Sequence, residues 1–251
     1  MDGFKKIIIK LGTSSLTQGM ESLCRRFMLG LVQQIAALQA EGIQCILVSS
    51  GAVATGQSLL CHSHPKPVLA SVGQIKLMQV WSELFSLFDL QVGQILLTRD
   101  DFSTGKKETA ELAIEGLLQS GIIPILNEND TTVTKESRIG DNDNLAVLAG
   151  KLVEADLVVL LTDQEGLYTA NPRLHPDAKL ISAVDLINEA LFALATGTSS
   201  QGTGGMATKL EAAQLALDAE IQMVIAHSSR PNVLIDLAKG LSIGTLFKRK
   251  P

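Results

Sequence analysis

The sequence predicts an α/β protein, a three-layer αβα sandwich built on an open, mostly parallel sheet. Short β-branched runs alternate with long segments of helical period along the chain. Most of the strand-like runs are apolar throughout, as expected of strands covered on both faces. The composition, 46% hydrophobic but only 4% aromatic, suits helices layered on a buried sheet better than an aromatic-rich barrel.

Taken in order, the apolar run Lys6–Leu11 predicts the first strand, and the periodic segment Glu21–Gln39 the helix that crosses over from it. Gln44–Ser49 is the second strand and Val68–Phe88 a long helix. Gln91–Leu97 and Ile122–Asn127 are strands separated by a helix at Lys107–Gln119. A helix at Asn144–Glu154 leads into the continuously apolar strand Asp156–Thr162. Helices follow at Val184–Ala195 and Met206–Asp218, then a strand at Gln222–Ala226 and a helix at Asn232–Ala238. This β-α-β rhythm with right-handed crossovers gives a parallel sheet between helix layers. Two stretches break it. Thr131–Gly140 alternates polar and apolar residues and reads as an exposed hairpin, and Gly166–Ile181, rich in Pro, Asn and Asp, as a structured loop. No repeat or linker appears, so the expectation is one domain over residues 1–251. Within it, a functional division is expected near residue 155, between 1–155 and 156–251.

Bulk properties narrow the function classes. A net charge of −5, with a pI near 5.4, and no basic cluster beyond Lys248-Arg249-Lys250 argue against a nucleic-acid-binding face. Cys24, Cys45 and Cys61 are widely spaced and lack a CxxC pair, which reads as reduced thiols. No uninterrupted apolar run approaches the ~20 residues of a membrane helix. The N-terminus runs straight into a strand with no apolar leader, so the expected location is the cytoplasm.

Ligands of open parallel sheets bind outside the carboxyl ends of the strands. Here those ends are Lys10-Leu11-Gly12-Thr13-Ser14-Ser15, Ser49-Ser50-Gly51-Ala52, Asn127-Glu128-Asn129-Asp130 and Thr162-Asp163. Each small, hydroxylated turn alone is as readily structural as functional. Together they offer backbone N–H groups to anionic oxygens near helix N-termini. Lys10 ends an apolar strand, where a snorkelling lysine is the structural alternative and a cation for phosphate oxygens the functional one.

Gly202-Thr203-Gly204-Gly205-Met206-Ala207-Thr208-Lys209 opens a long helix. It is neither a dinucleotide fingerprint, since no strand precedes it, nor a Walker loop, since the GxxxxGK[ST] spacing is missing. A glycine-rich loop at a helix N-terminus, with Lys209 one turn in, can wrap phosphates and supply a second cation. In Asp141-Asn142-Asp143-Asn144 one residue suffices as an N-cap. Four are more than capping requires, and Asp143 is the candidate to hold both lysine ammonium groups toward a phosphoryl path. His62, His64, His175 and His227 show no metal or triad spacing, and Trp81 and Tyr168 read as packing.

These motifs resemble the amino-acid kinase family along essentially the whole chain, most closely its glutamate-phosphorylating branch. The resemblance is carried by Ile8–Ser15, Ser49-Ser50-Gly51-Ala52, Asn127–Asp130, Ile139–Leu145, Leu161–Thr169, Gly202–Leu210 and Gly244–Phe247. It implies the amino-acid kinase fold and transfer of the γ-phosphoryl group of Mg-ATP to the side-chain carboxylate of L-glutamate. The product, glutamyl 5-phosphate, opens proline biosynthesis. By matching motif, Lys10, Lys209 and Asp143 are implied to be catalytic, and Ser50, Asp130 and Asn142 to hold the amino acid. Lys10, Thr162, Asp163 and the run Thr203, Gly204, Gly205, Met206, Ala207, Thr208 and Lys209 are implied to hold the nucleotide, with Mg²⁺ carried mainly on the ATP phosphates. Also implied are a homo-oligomer inhibited by proline, with no nucleic-acid or membrane partner. Many members of that branch carry a further C-terminal PUA domain, and a form lacking it is expected here. The alternatives are a kinase of the same fold acting on acetylglutamate, carbamate, aspartate, uridylate or isopentenyl phosphate, or a silent amino-acid sensor.

Overall fold

A computed structural model describes residues 3–172, 174–196 and 205–249. In chain order its elements are β1 (Lys6–Leu11), α1 (Thr13–Thr17), α2 (Arg25–Ala40), β2 (Gln44–Ser49), α3 (Ala52–Leu59) and α4 (Lys66–Ser86). Next come β3 (Val92–Leu97), a 3-10 turn at Arg99–Phe102, α5 (Lys107–Gln119), β4 (Ile123–Glu128), α6 (Asn142–Leu152) and β5 (Leu157–Thr162). The chain closes with β6 (Ala183–Val184), α7 (Glu189–Thr196), α8 (Met206–Asp218), β7 (Gln222–His227), α9 (Val233–Ala238) and β8 (Thr245–Phe247).

The strands form one sheet in the order β3-β4-β2-β1-β5-β7-β8-β6, parallel at every pairing except β7 with β8. Strands from residues up to 128 lie on one side of the β1–β5 junction and those from 157 onward on the other. Period-two alternation sorts the core. Ile7, Ile9 and Leu11 join Met28, Leu77, Trp81 and Val233 on the face covered by α2, α4 and α9. Ile8 joins Ile114, Leu145 and Leu210 on the face covered by α5, α6 and α8. These are the three layers expected, and among the described residues no helix is long and apolar enough to cross a membrane.

Several expectations are corrected. The predicted helix from Glu21 begins at Arg25, and a separate short helix, α1, sits between it and β1. The long helix expected at Val68–Phe88 is α4, and an unexpected helix, α3, precedes it, packed so closely that a Cβ on Gly73 would lie 1.8 Å from the Ala52 carbonyl oxygen. The helix expected from Val184 is strand β6 followed by α7, and β8 adds a further short strand. Thr131–Gly140 is not a hairpin but a run of turns without a strand. Its polar residues satisfy the backbone locally: Thr134 N and Ser137 N donate to the hydroxyls of Ser137 and Thr134 at 2.9 and 3.2 Å. The Glu128 carboxylate and Arg99 latch it down, Glu128 accepting from Ile139 N at 2.6 Å and Arg99 Nε donating to Arg138 O at 3.1 Å.

Candidate active site

Lys10 shares the parity of Ile8, so its side chain leaves β1 toward the layer of α6 and α8. β1 lies in the middle of the sheet, and Lys10 is 8% exposed, so it does not snorkel from an edge. Its Nζ lies 2.5 Å from Asp143 Oδ1, and Lys209 Nζ lies 3.2 Å from Asp143 Oδ2. Asp143 is fully buried and Lys209 is 7% exposed. The Lys209 contact is a regular hydrogen bond, and Lys10 meets Oδ1 as a close ion pair. Two ammonium groups on one carboxylate give the triad itself a charge of +1, with the Asp141 carboxylate nearby, and two cationic donors held together favour a bound anion.

Local structure explains why these residues meet. Asp141 caps α6 from an extended conformation, its Oδ1 accepting from Asn144 N at 2.9 Å. That cap starts the helix so that Asp143 falls in its first turn, where the helix dipole favours a carboxylate. α8 starts after Gly205, which supplies no side-chain cap, and Lys209 stands at the wrong end of that dipole for a cation. Asp143 compensates. Burial pushes the Asp143 carboxyl up, but the ammonium groups of Lys10 and Lys209 outweigh it and hold it below its ordinary value.

The neighbouring Asp141 goes the other way: burial first, then the charge of Asp143, raises its carboxyl despite the bond from Asn144. A raised folded value means that the carboxylate opposes folding at neutral pH, and that this cost fades as pH falls toward the unfolded value of about 3.9. Asp141→Asn keeps a good cap and removes the cost. The variant should melt at higher temperature than the parent at pH 7, with the gap closing below pH ~4 in thermal scans.

Beside this triad runs a polar row at the ends of β2 and β4. Asn142 Nδ2 donates to Ser50 Oγ and Asn127 Oδ1, both at 2.8 Å, and Asn127 Nδ2 donates to Gln74 Oε1 at 3.0 Å. Ser50 sits in a strand-to-helix turn that depends on Gly51 at φ +107°, where a Cβ would also lie 3.1 Å from Leu16. Asp130 is not joined to this row by a hydrogen bond; it pairs with Lys66 at the start of α4, Nζ to Oδ1 2.8 Å. Thr162 ends β5 beside β1, its hydroxyl donating to Asp163 Oδ1 at 3.1 Å and its carbonyl accepting from Ser228 N at 2.7 Å.

Of the glycine-rich loop, Gly205, Met206, Ala207, Thr208 and Lys209 are described, and Thr203 and Gly204 lie outside the described residues. Met206 is buried, and Thr208 Oγ1 donates to Gly205 O at 2.9 Å. Sequence reasoning passed over Gln74 and Lys66. Gln74 had one signal, a polar residue set into the buried helical stripe Ala70, Leu77 and Trp81. Trp81 packs as expected, and its Nε1 also donates to Ser49 Oγ at 3.0 Å. Among the described residues no group of three or more His, Cys, Asp or Glu could hold a metal ion.

Lys10, Ser50, Asn127 and Thr162 thus stand at the carboxyl ends of adjacent strands, with the starts of α6 and α8 against them. The arrangement can accept two anions side by side: one on the lysines, one on the hydroxyl and amide row.

Comparison with known proteins places the chain in a family. The model of the amino acid kinase family matches residues 5–227. Glutamate 5-kinase of Pasteurella multocida (strain Pm70) is 45% identical over 251 residues, covering 97% of this chain and 68% of that protein. Glutamate 5-kinase of Sodalis glossinidius (strain morsitans) is 46% identical over 255 residues, covering 98% and 70%. Among solved structures, the UMP kinase of Bacillus anthracis superposes with a TM-score of 0.68 at 14% identity, covering 99% of this chain and 98% of its own, a likeness of fold.

Proposed function

The chain belongs to the amino acid kinase family, among relatives that are glutamate 5-kinases, and on that footing we propose that it phosphorylates the side-chain carboxylate of L-glutamate with ATP. The observation that carries this reading is the buried Lys10–Asp143–Lys209 triad with its net positive charge. A glutamate side-chain oxygen attacks the γ-phosphorus, an oxygen–phosphorus bond forms, and the bond to the ADP oxygen breaks. No proton moves, so no general base is needed, and none of the histidines is assigned a role. Catalysis then rests on positioning and on neutralising charge spread over the transferring group. Lys10 and Lys209 take its oxygens from the α6 and α8 side, and Asp143 keeps both ammonium groups on that path. Magnesium carried on the ATP phosphates supplies further charge neutralisation.

Ser50, Asn142 and Asp130 hold glutamate in this reading, on the half of the sheet built from residues 1–155. Thr162, Asp163 and the stretch Thr203–Lys209 hold the nucleotide on the half built from 156–251. Asp130 already carries one ammonium partner, Lys66, and the α-ammonium of the amino acid is a second cation for its other oxygen. Asp130→Ala and Asn142→Ala should raise KM for glutamate far more than KM for ATP. The expected cost is roughly 2 kcal/mol for Asp130, the low end for a partly desolvated charge contact, while Asn142→Ala acts by releasing the Ser50 hydroxyl that it holds. Equal losses for both substrates would contradict the division of the site. A panel of glutamate, aspartate, acetylglutamate and carbamate with one ADP-release readout tests the acceptor, and turnover led by any but glutamate would reject it.

Proline shares the α-carboxylate and the amine of glutamate but offers no side-chain carboxylate to ATP. The same contacts near Ser50, Asp130 and Asn142 accommodate it, so inhibition should be competitive with glutamate. Initial rates with glutamate and proline both varied check this, and inhibition competitive with ATP alone would exclude a shared pocket.

A further inference from the structure

The amide row behind Ser50 has a fixed polarity, and it ends on a residue that the chemistry above does not use. The backbone N–H of Glu128 can only donate, and it donates to Asn127 Oδ1 at 2.9 Å and to Asn142 Oδ1 at 3.3 Å. Both side-chain oxygens are thereby turned toward Glu128. Asn142 must then spend both N–H bonds of Nδ2, one on Asn127 Oδ1 and one on Ser50 Oγ. Ser50 Oγ accepts, so its own hydrogen is left to be donated, and no acceptor for it stands among the described residues. The row therefore presents a donor outward, which suits a carboxylate oxygen.

Asn127 Nδ2 needs an acceptor for this polarity to hold, and Gln74 Oε1 supplies it at 3.0 Å. Gln74 is 8% exposed, and its Nε2 is buried with no hydrogen-bond partner. As packing alone it is a poor choice, because it leaves its own buried N–H pair unmet; what it supplies is the acceptor for Asn127. Its place is fixed by the close approach of α3 and α4, where a Cβ on Gly56 would lie 2.0 Å from the Leu69 carbonyl oxygen. α3 is also the helix that begins after the Ser50–Gly51 turn.

We infer that Gln74 is a positioning residue for the acceptor carboxylate, locking the Asn127–Asn142 amides so that Ser50 donates its hydroxyl hydrogen to the substrate. The inference rests on the reading that Ser50 and Asn142 hold glutamate. It is tested with Gln74→Met and Gln74→Glu, alone and combined with Ser50→Ala, following KM for both substrates, kcat and Tm. Gln74→Met should raise KM for glutamate about tenfold, the worth of one well-placed hydrogen bond, with KM for ATP unmoved and Tm little changed, since the unmet Gln74 N–H pair is exchanged for an unmet Asn127 N–H. Gln74→Glu keeps an oxygen opposite Asn127, and in the protonated form that burial favours it should hold KM for glutamate below that of Gln74→Met. In the Ser50→Ala background Gln74→Met should add little, because both act through one contact. An unchanged KM for glutamate in Gln74→Met would overturn the inference. So would effects that simply multiply with Ser50→Ala, or a parallel fall in Tm and in affinity for both substrates. Failure of the unsubstituted chain to turn over glutamate would instead remove the reading beneath it.

Discussion

Replacing Lys10 or Lys209 by methionine should lower kcat by about 10²–10³, the usual cost of one charge-stabilising donor, while leaving stability close to the parent's. Activity and stability part company because of the charge count. Removing one lysine leaves a 1:1 pair with Asp143, so one ammonium still answers the buried carboxylate. Methionine fills similar volume, so no large cavity opens. Rates at saturating glutamate and ATP, read beside Tm, test the assignment. Folded variants with near-parental turnover would remove the lysines from the chemistry, and a collapse of Tm would make them structural props.

Substitution at Asp143 should do the opposite to stability. Asp143→Ala leaves two buried ammonium groups facing each other with no counter-charge, and the expected loss is about 3–5 kcal/mol in urea unfolding. Turnover should fall with it, since nothing then holds the lysines together. The loss depends on pH in a defined direction. The folded-state value of Asp143 is depressed, so its contribution is complete above the unfolded value of about 3.9 and disappears as pH falls through the lower folded value. Parent and variant should therefore differ most near neutrality and converge in strong acid. A variant as stable as the parent at pH 7 would show that the lysines do not depend on Asp143.

Much of this site was legible because the signals were local and redundant. β1 is a continuous apolar run, and a lysine placed in it on the parity of Ile8 had to enter the core near the starts of the crossover helices. The Asp141–Asn144 run overfills a helix cap, which betrayed Asp143. The strand ends along the sheet were visible from turn chemistry alone. What escaped was set by tertiary packing. α3 contains Thr55 and Gly56, a poor helix by propensity, and it holds because its glycine admits α4 at backbone contact. β6 and β8 are two and three residues long, too short to carry a period, and exist because the sheet edge at β7 offers them partners. The alternation in Thr131–Gly140 imitated a strand, but hydroxyls bonding their own backbone won over a ladder. Gln74 and Lys66 lie far in sequence from Asn127 and Asp130, and only the folded chain joins them.

Trapping the acyl phosphate tests the central claim most directly. The purified chain is incubated with ATP, magnesium, L-glutamate and hydroxylamine, and both ADP and hydroxamate are quantified. Glutamyl hydroxamate should form in step with ADP, and neither should accumulate when glutamate is left out. ADP released without hydroxamate, or hydroxamate formed from another amino acid in place of glutamate, would contradict the account.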